Sequence, residues 1–138
     1  MSVTPPPRYL TAEDVWAINI AVHRREGTTA LLRDRGALEG ALQRPQMAAH
    51  YEQSDLITQA VLVIMGISMA HAFLDGNKRT AAIAGAVFLD LNGYTINVAP
   101  SDDALGRQVE SLVSDHGNAE RAMRRFEDWL RPLVAPKA

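Results

Sequence analysis

The chain of 138 residues contains no cysteine. That absence excludes disulfides and every metal site built on thiolates. Neither sign of charge predominates: 14 Lys and Arg against 16 Asp and Glu give a formal net charge of −2 and a pI near 6.1, which leaves no broad positive field. Non-specific nucleic-acid binding depends on neutralising many phosphates at once, so a general DNA or RNA binder is not expected. No basic-then-apolar signal segment opens the chain, and a cytoplasmic location is expected. The longest apolar run, AVLVIMGISMAHAFL (60–74), falls short of the ~20 residues needed to cross a bilayer. It reads instead as a buried core helix. Internal repeats, low-complexity tracts and interdomain linkers are missing too, and 47% hydrophobic against 22% charged residues indicates one globular domain over 1–138.

What is present is helical periodicity. Three prolines in MSVTPPPRY make residues 1–9 an extended lead-in. Thr11 and Asp14 then form a capping pattern ahead of Val15, Ile18 and Val22, with Gly27 as the stop. A shorter helix is expected in DRGALEGALQRP, with Pro45 just beyond its end. Ser54 and Asp55 open a helix that is apolar almost all round, and a second buried helix begins near Asn77 and ends at Gly93. TINVAP suggests a short extended piece. Ser101, Asp102 and Asp103 cap a fifth helix, which ends at Gly117, and a sixth follows from Asn118 with Phe126, Trp129, Leu130 and Leu133 facing inward. The expectation is an all-α bundle of about six helices with short connections. The segment RPQMAAHYEQ (44–53) reads equally as a flap hairpin and as a plain connecting loop.

Between the two central helices lies HAFLDGNKRT (71–80), a polar break that concentrates chemistry. If a helix starts at Asn77, its first backbone N–H groups have no partners within the helix and favour an anion. Gly76 allows close backbone approach, and Lys78 and Arg79 bring mobile cations to the same mouth. His71 has the side chain that exchanges protons near neutral pH, while Asp75 suits Mg²⁺ or a hydroxyl proton. Each feature alone has a plain explanation: a structural histidine, an Asp-Gly turn, a solvated Lys-Arg pair. Together they point to transfer of a group from a nucleotide to a hydroxyl. Phe73 reads as a core anchor for the loop.

The other histidines, His23, His50 and His116, read as surface residues, and without an HExxH pattern a transition-metal hydrolase has little support. Arg121, Arg124 and Arg125 alternate with Glu120, Glu127 and Asp128 at ion-pair spacing, which describes a solvated face. Trp16 and Trp129 lie on apolar helical faces.

HAFLDGNKRTA resembles the signature loop of the Fic-domain superfamily, in particular its Doc (death-on-curing) toxin branch. The similarity extends to YLTAEDV, RDRGALEGALQRPQ and FLDLNGY, and so over most of the chain. The resemblance implies an all-helical fold and a role for each loop position. His71 would be the base, Phe73 the anchor and Asp75 the acid that helps hold Mg²⁺. Gly76 and Asn77 would form the anion hole, and Lys78, Arg79 and Thr80 would complete the binding of ATP phosphates. Lys78 and Ala82 depart from the adenylylating pattern and agree with the Doc branch, which is thought to transfer the γ-phosphoryl group. That branch implies a kinase toxin that phosphorylates a threonine of translation elongation factor Tu and is neutralised by a Phd-type antitoxin. An adenylyltransferase and a catalytically silent binding module are the alternatives. The inhibitory Ser/Thr-x-x-x-Glu-Gly/Asn pattern of some Fic proteins is missing: Glu26 and Glu39 precede glycines, but Val22 and Arg35 stand four positions before them. Met69 and Ile83 occupy places where the Doc branch can carry polar residues.

Overall fold

The structure, a computed structural model, describes residues 6–98, 103–115 and 117–138. Six α-helices follow one another: α1 (Ala12–Glu26), α2 (Arg35–Glu52), α3 (Leu56–Ala70), α4 (Asn77–Leu91), α5 (Ala104–Ser114) and α6 (Ala119–Leu130). A single 3₁₀ turn (Arg131–Leu133) leads into β2 (Val134–Pro136), which pairs antiparallel with β1 (Tyr94–Ile96), Tyr94 opposite Pro136 and Ile96 opposite Val134. The all-α expectation holds, with this small ribbon as its one sheet among the described residues.

Local chemistry accounts for most boundaries. Thr11 and Asp14 close a reciprocal capping box on α1, and Gly27 ends that helix in the left-handed conformation. Asp55 caps α3 by accepting from the Thr58 N–H, and Asn118 caps α6 through the Arg121 N–H. Asp103 takes the N-cap position of α5; Ser101, Asp102 and His116 lie outside the described residues.

Helices α3 and α4 form the central pair. Residues Gln59 to Ser68 of α3 are all buried, as its all-round apolar sequence demands. Gly85 of α4 faces Ile64 so closely that an added Cβ would come within 2.5 Å of that side chain. Around the pair pack Leu38 and Leu42 of α2, Val109 and Leu112 of α5, and Phe126 and Leu130 of α6. Among the described residues no helix is long and apolar enough to cross a membrane.

Three expectations need correction. Residues 44–52 are neither hairpin nor loop but the second half of α2, which runs through Pro45 to the left-handed Gln53. A proline inside a helix leaves the carbonyl four residues back without its donor, at a cost of ~3 kcal/mol. Here that carbonyl belongs to Ala41 and lies against Gly66 of α3, where a Cβ would stand 3.2 Å from it. Burial of Leu42, Pro45 and Ala48 beside α3 offsets the lost bond. Leu133 belongs to the 3₁₀ turn and not to the last helix, because Pro132 has no N–H with which to continue the α pattern. His23 is 2% exposed, not a surface residue.

Candidate active site

The break between α3 and α4 is a loop whose backbone is tied at nearly every residue. His71 caps α3 in the left-handed region (φ 51°), a conformation that turns the chain sharply. Arg33 donates its guanidinium to the His71 carbonyl at 3.1 Å, and the Arg33 and Asp34 N–H groups share the Ala72 carbonyl at 2.7 and 3.0 Å. The Leu74 N–H reaches the Leu31 carbonyl at 3.0 Å. Phe73 is fully buried and stacks on Trp16 with ring centroids 5.8 Å apart. Its ring thus packs the loop against α1. The Asn77 amide clasps the same residue from both sides, accepting from the Phe73 N–H at 3.1 Å and donating to its carbonyl at 2.9 Å.

Beneath the loop, α1 supplies two residues to which the sequence reading assigned no role in the site. Asn19 is buried, and its Nδ2 donates to the Asp75 carbonyl at 3.1 Å and to the Thr80 hydroxyl at 3.0 Å. His23 Nε2 lies 3.1 Å from the same carbonyl. A carbonyl only accepts, so Nε2 carries the proton, and a neutral ring then has Nδ1 free to accept from the Thr28 hydroxyl at 2.7 Å. Gly76 (φ 80°) sits directly above; a Cβ there would meet Asn19 Nδ2 and His23 Nε2 at 3.3 Å each. The glycine is therefore required twice, by its backbone angle and by close approach. Asn19 falls four residues after Val15, on the buried face of α1, and His23 four after that. A polar side chain at a core position of the helical pattern was the available signal.

A cavity of about 730 Å³ opens over this frame. His71, Asp75, Gly76, Asn77, Lys78 and Arg79 all line it, so six of the predicted site residues converge. Thr80 stands apart: it is fully buried, its hydroxyl accepts from Asn19, and it supports the loop from behind. Phe73 likewise acts from below.

The imidazole of His71 is exposed, and among the described residues nothing hydrogen-bonds it. Helix α4 begins with Gly76 at its N-cap and no side-chain cap, and the first helical bond runs from the Thr80 N–H to the Gly76 carbonyl at 2.9 Å. The N–H groups of Asn77, Lys78 and Arg79 are thus the unpaired donors of the first turn. Such a turn binds anions through these donors and the helix dipole. The Lys78 ammonium pairs with Glu110 of α5 at 2.8 Å, and Arg79 pairs with Glu26 of α1. Among the described residues no group of three or more carboxylates and imidazoles is placed to hold a metal by itself. A divalent cation at Asp75 would take its remaining ligands from phosphate oxygens and water, the usual habit of Mg²⁺.

Fold and site together define a helical domain in which a histidine and two cations stand at the open start of a buried central helix. The family model described as Fic/DOC matches residues 9–89. The chain is 30% identical over 127 residues to the protein named protein kinase doc of Escherichia phage P1, covering 91% of this chain and 95% of that one. It is also 34% identical over 90 residues to toxin Doc of Mycolicibacterium smegmatis, covering 64% and 67%. The chain belongs to the Fic/DOC family, and these relatives place it with the Doc branch.

Proposed function

We propose that the cavity binds ATP with Mg²⁺ and that the chain transfers the γ-phosphoryl group to a hydroxyl of a protein substrate. One observation carries this: an imidazole that has no hydrogen-bond partner among the described residues stands at the lip of a cavity whose wall is a helix start without a side-chain cap, flanked by two cations. His71 accepts the proton of the incoming hydroxyl. The Asn77, Lys78 and Arg79 N–H groups and the two cationic side chains orient the phosphates and take up charge as it moves to the leaving oxygen. Mg²⁺, held by Asp75, would supply further charge neutralisation. The loop backbone, fixed by Arg33, Asn19 and His23, keeps these groups in place, so catalysis rests on positioning.

Lys78 and the small Ala82, both on the cavity wall, favour phosphoryl over adenylyl transfer, in agreement with the name of the phage relative. By the same resemblance the chain is a toxin that phosphorylates a threonine of elongation factor Tu, and a Phd-type antitoxin chain restrains it. A second cavity of about 600 Å³ between α1 and α4, lined by Ile18, Ala21, Val22 and Ile83 together with the charged Arg25, Glu26 and Arg79, would seat an amphipathic helical antitoxin segment. The test is incubation with cell extract and ATP labelled at the α- or γ-phosphorus. Label from γ-ATP alone, lost in His71→Ala, is the expected result. Transfer of α-label would make the protein an adenylyltransferase, and growth arrest that survives His71→Ala would make it a silent binding module.

A further inference from the structure

The cavity of about 730 Å³ has room for a whole small-molecule ligand, not for phosphates alone. Its charged lining residues gather at the loop and the first turn of α4, where Lys78 pairs with Glu110 and Arg79 with Glu26. One turn further along α4 the lining carries no charge: it consists of Ala82 and Ile83, with Gly106 of α5 and Ser68 of α3. Ala82 follows Lys78 by one turn and Gly106 precedes Glu110 by one turn, so α4 and α5 run antiparallel here and Ala82 stands level with Gly106. The close approach of Gly85 to Ile64 sets the register of α3 against α4 and brings Ser68 to the same level. A hollow of about 410 Å³ shares Ala82 and Ile83 and continues past Ala86 and Val87, with Asp90 its one charged residue among those described. We infer that the nucleoside part of the phosphate donor lies in this uncharged stretch between α4 and α5, with Gly106 setting its width and the Ser68 hydroxyl bonding its sugar.

The inference rests on the nucleotide-binding reading above and deepens it. The transferred phosphate must lie beside His71 and the first turn of α4, so the rest of the donor leads away from the loop, and α4 leads the same way to Ala82. A flat, uncharged base suits apolar walls better than a phosphate does. Two residues have no other explanation within the chain. Gly106 needs no left-handed backbone, and a Cβ added to it would meet nothing within 4 Å. Neither the backbone nor the packing therefore requires glycine, which is a weaker helix former than alanine. A side chain at this position would extend into space that the cavity occupies. Ser68 is 3% exposed, and its hydroxyl has no hydrogen-bond partner among the described residues. A buried hydroxyl left unpaired is costly, and a change of rotamer lets it take a partner from the cavity that Ser68 lines. A sugar hydroxyl both donates and accepts, and so matches a serine there.

The test compares ATP with inorganic triphosphate, both with Mg²⁺, by calorimetry on the full chain. The unaltered protein is expected to bind ATP more tightly than triphosphate. Gly106→Leu should weaken ATP binding by at least about tenfold, the size by which a misplaced methylene group in an apolar pocket changes affinity, and leave triphosphate binding unchanged. Gly40→Leu is the control, because Gly40 is an exposed helical glycine outside the cavity whose added Cβ would likewise meet nothing within 4 Å; it should change neither. Gly106→Ala should act in the same direction at smaller size and covers the case in which the leucine variant does not fold. Ser68→Ala should cost about two- to tenfold in ATP affinity, the share of one hydrogen bond, with no fall in melting temperature. Unchanged ATP binding by the Gly106 variants, or equal losses for both ligands, overturns the inference and leaves nucleotide binding standing. Unchanged ATP binding by Ser68→Ala overturns the sugar contact. ATP bound no more tightly than triphosphate by the unaltered chain also overturns the inference, and failure to bind either ligand overturns both readings.

Discussion

The two ends of the α3–α4 pair are built from similar residues and used in opposite ways. At the end away from the cavity, side chains are spent on tying distant segments together. Asn92 accepts from the Arg8 N–H at 2.8 Å and donates to the Arg8 and Phe88 carbonyls at 3.0 and 2.8 Å. Tyr9 stacks on Phe88 and donates its hydroxyl to Gln59, whose amide in turn reaches the Ser54 carbonyl. At the cavity end the backbone carries the ties: the carbonyls of His71, Ala72, Phe73 and Asp75 are all accepted into bonds. Among the described residues the side chains of His71 and Asp75 are not used in these ties. A loop can present reactive groups on a fixed frame only if its main chain, not those groups, provides the anchorage.

His71→Asn should break the comparison most sharply. Asparagine tolerates the left-handed conformation of this C-cap but offers no comparable base. Phosphoryl transfer is expected to fall by about 10²–10⁴-fold, the usual share of a positioned general base, with the melting temperature unchanged. An equal fall in stability would show that the imidazole is part of the frame. Asn19→Ala tests the frame itself. The Thr80 hydroxyl and the Asp75 carbonyl would lose a buried donor, which costs about 1–3 kcal/mol, and the loop would shift under the reacting groups. Transfer is expected to drop by at least about tenfold, since small misplacements are enough for that. Thermal unfolding and a kcat measurement on the same variant separate the two effects.

How much of this was legible in the sequence depends on whether neighbours or distant segments decide. The capping box of α1, the buried α3 and the start of α4 at Asn77 are short-range matters, and the sequence shows each of them. The convergence of His71, Asp75, Gly76, Asn77, Lys78 and Arg79 also follows from one contiguous loop. The path of α2 through Pro45 was not legible, because its stability depends on Gly66 lying opposite, twenty-odd residues later. His23 was misjudged for the same reason: its partner is a carbonyl 52 positions away. Glu26 and Glu110 carry no local mark of belonging to the site. Strand β2 is defined only by its pairing with β1.

Asn92→Ala sharpens the contrast from the other end. It removes the clamp on Arg8 and the bond to the Phe88 carbonyl, at an expected cost of about 1–2 kcal/mol, since water can replace part of what is lost. Triphosphate affinity and the KM for ATP should not move. A change in either would mean that the two ends communicate along α4.

The smallest expected effect concerns Asp55, again at the structural end. Burial pushes its carboxyl up, but the hydrogen bonds from Arg131 at 2.9 Å and from the Thr58 N–H at 2.9 Å, together with the Arg131 charge, more than cancel this and hold it below its ordinary value. A carboxyl depressed in the folded state adds stability that is complete above the ordinary aspartate pKa of about 3.9 and disappears as pH falls through the lower folded value. Asp55→Asn keeps a capping oxygen for Thr58 and loses only the charge. It should cost no more than about 1 kcal/mol at neutral pH, because the pair is partly exposed, and the difference should vanish in acid below that window. Denaturant unfolding of both proteins across pH 2 to 7 measures it. A difference that persists at the acid end would assign the effect to the cap and not to the ion pair, and α3 would then be held at this end by its N–H donors alone.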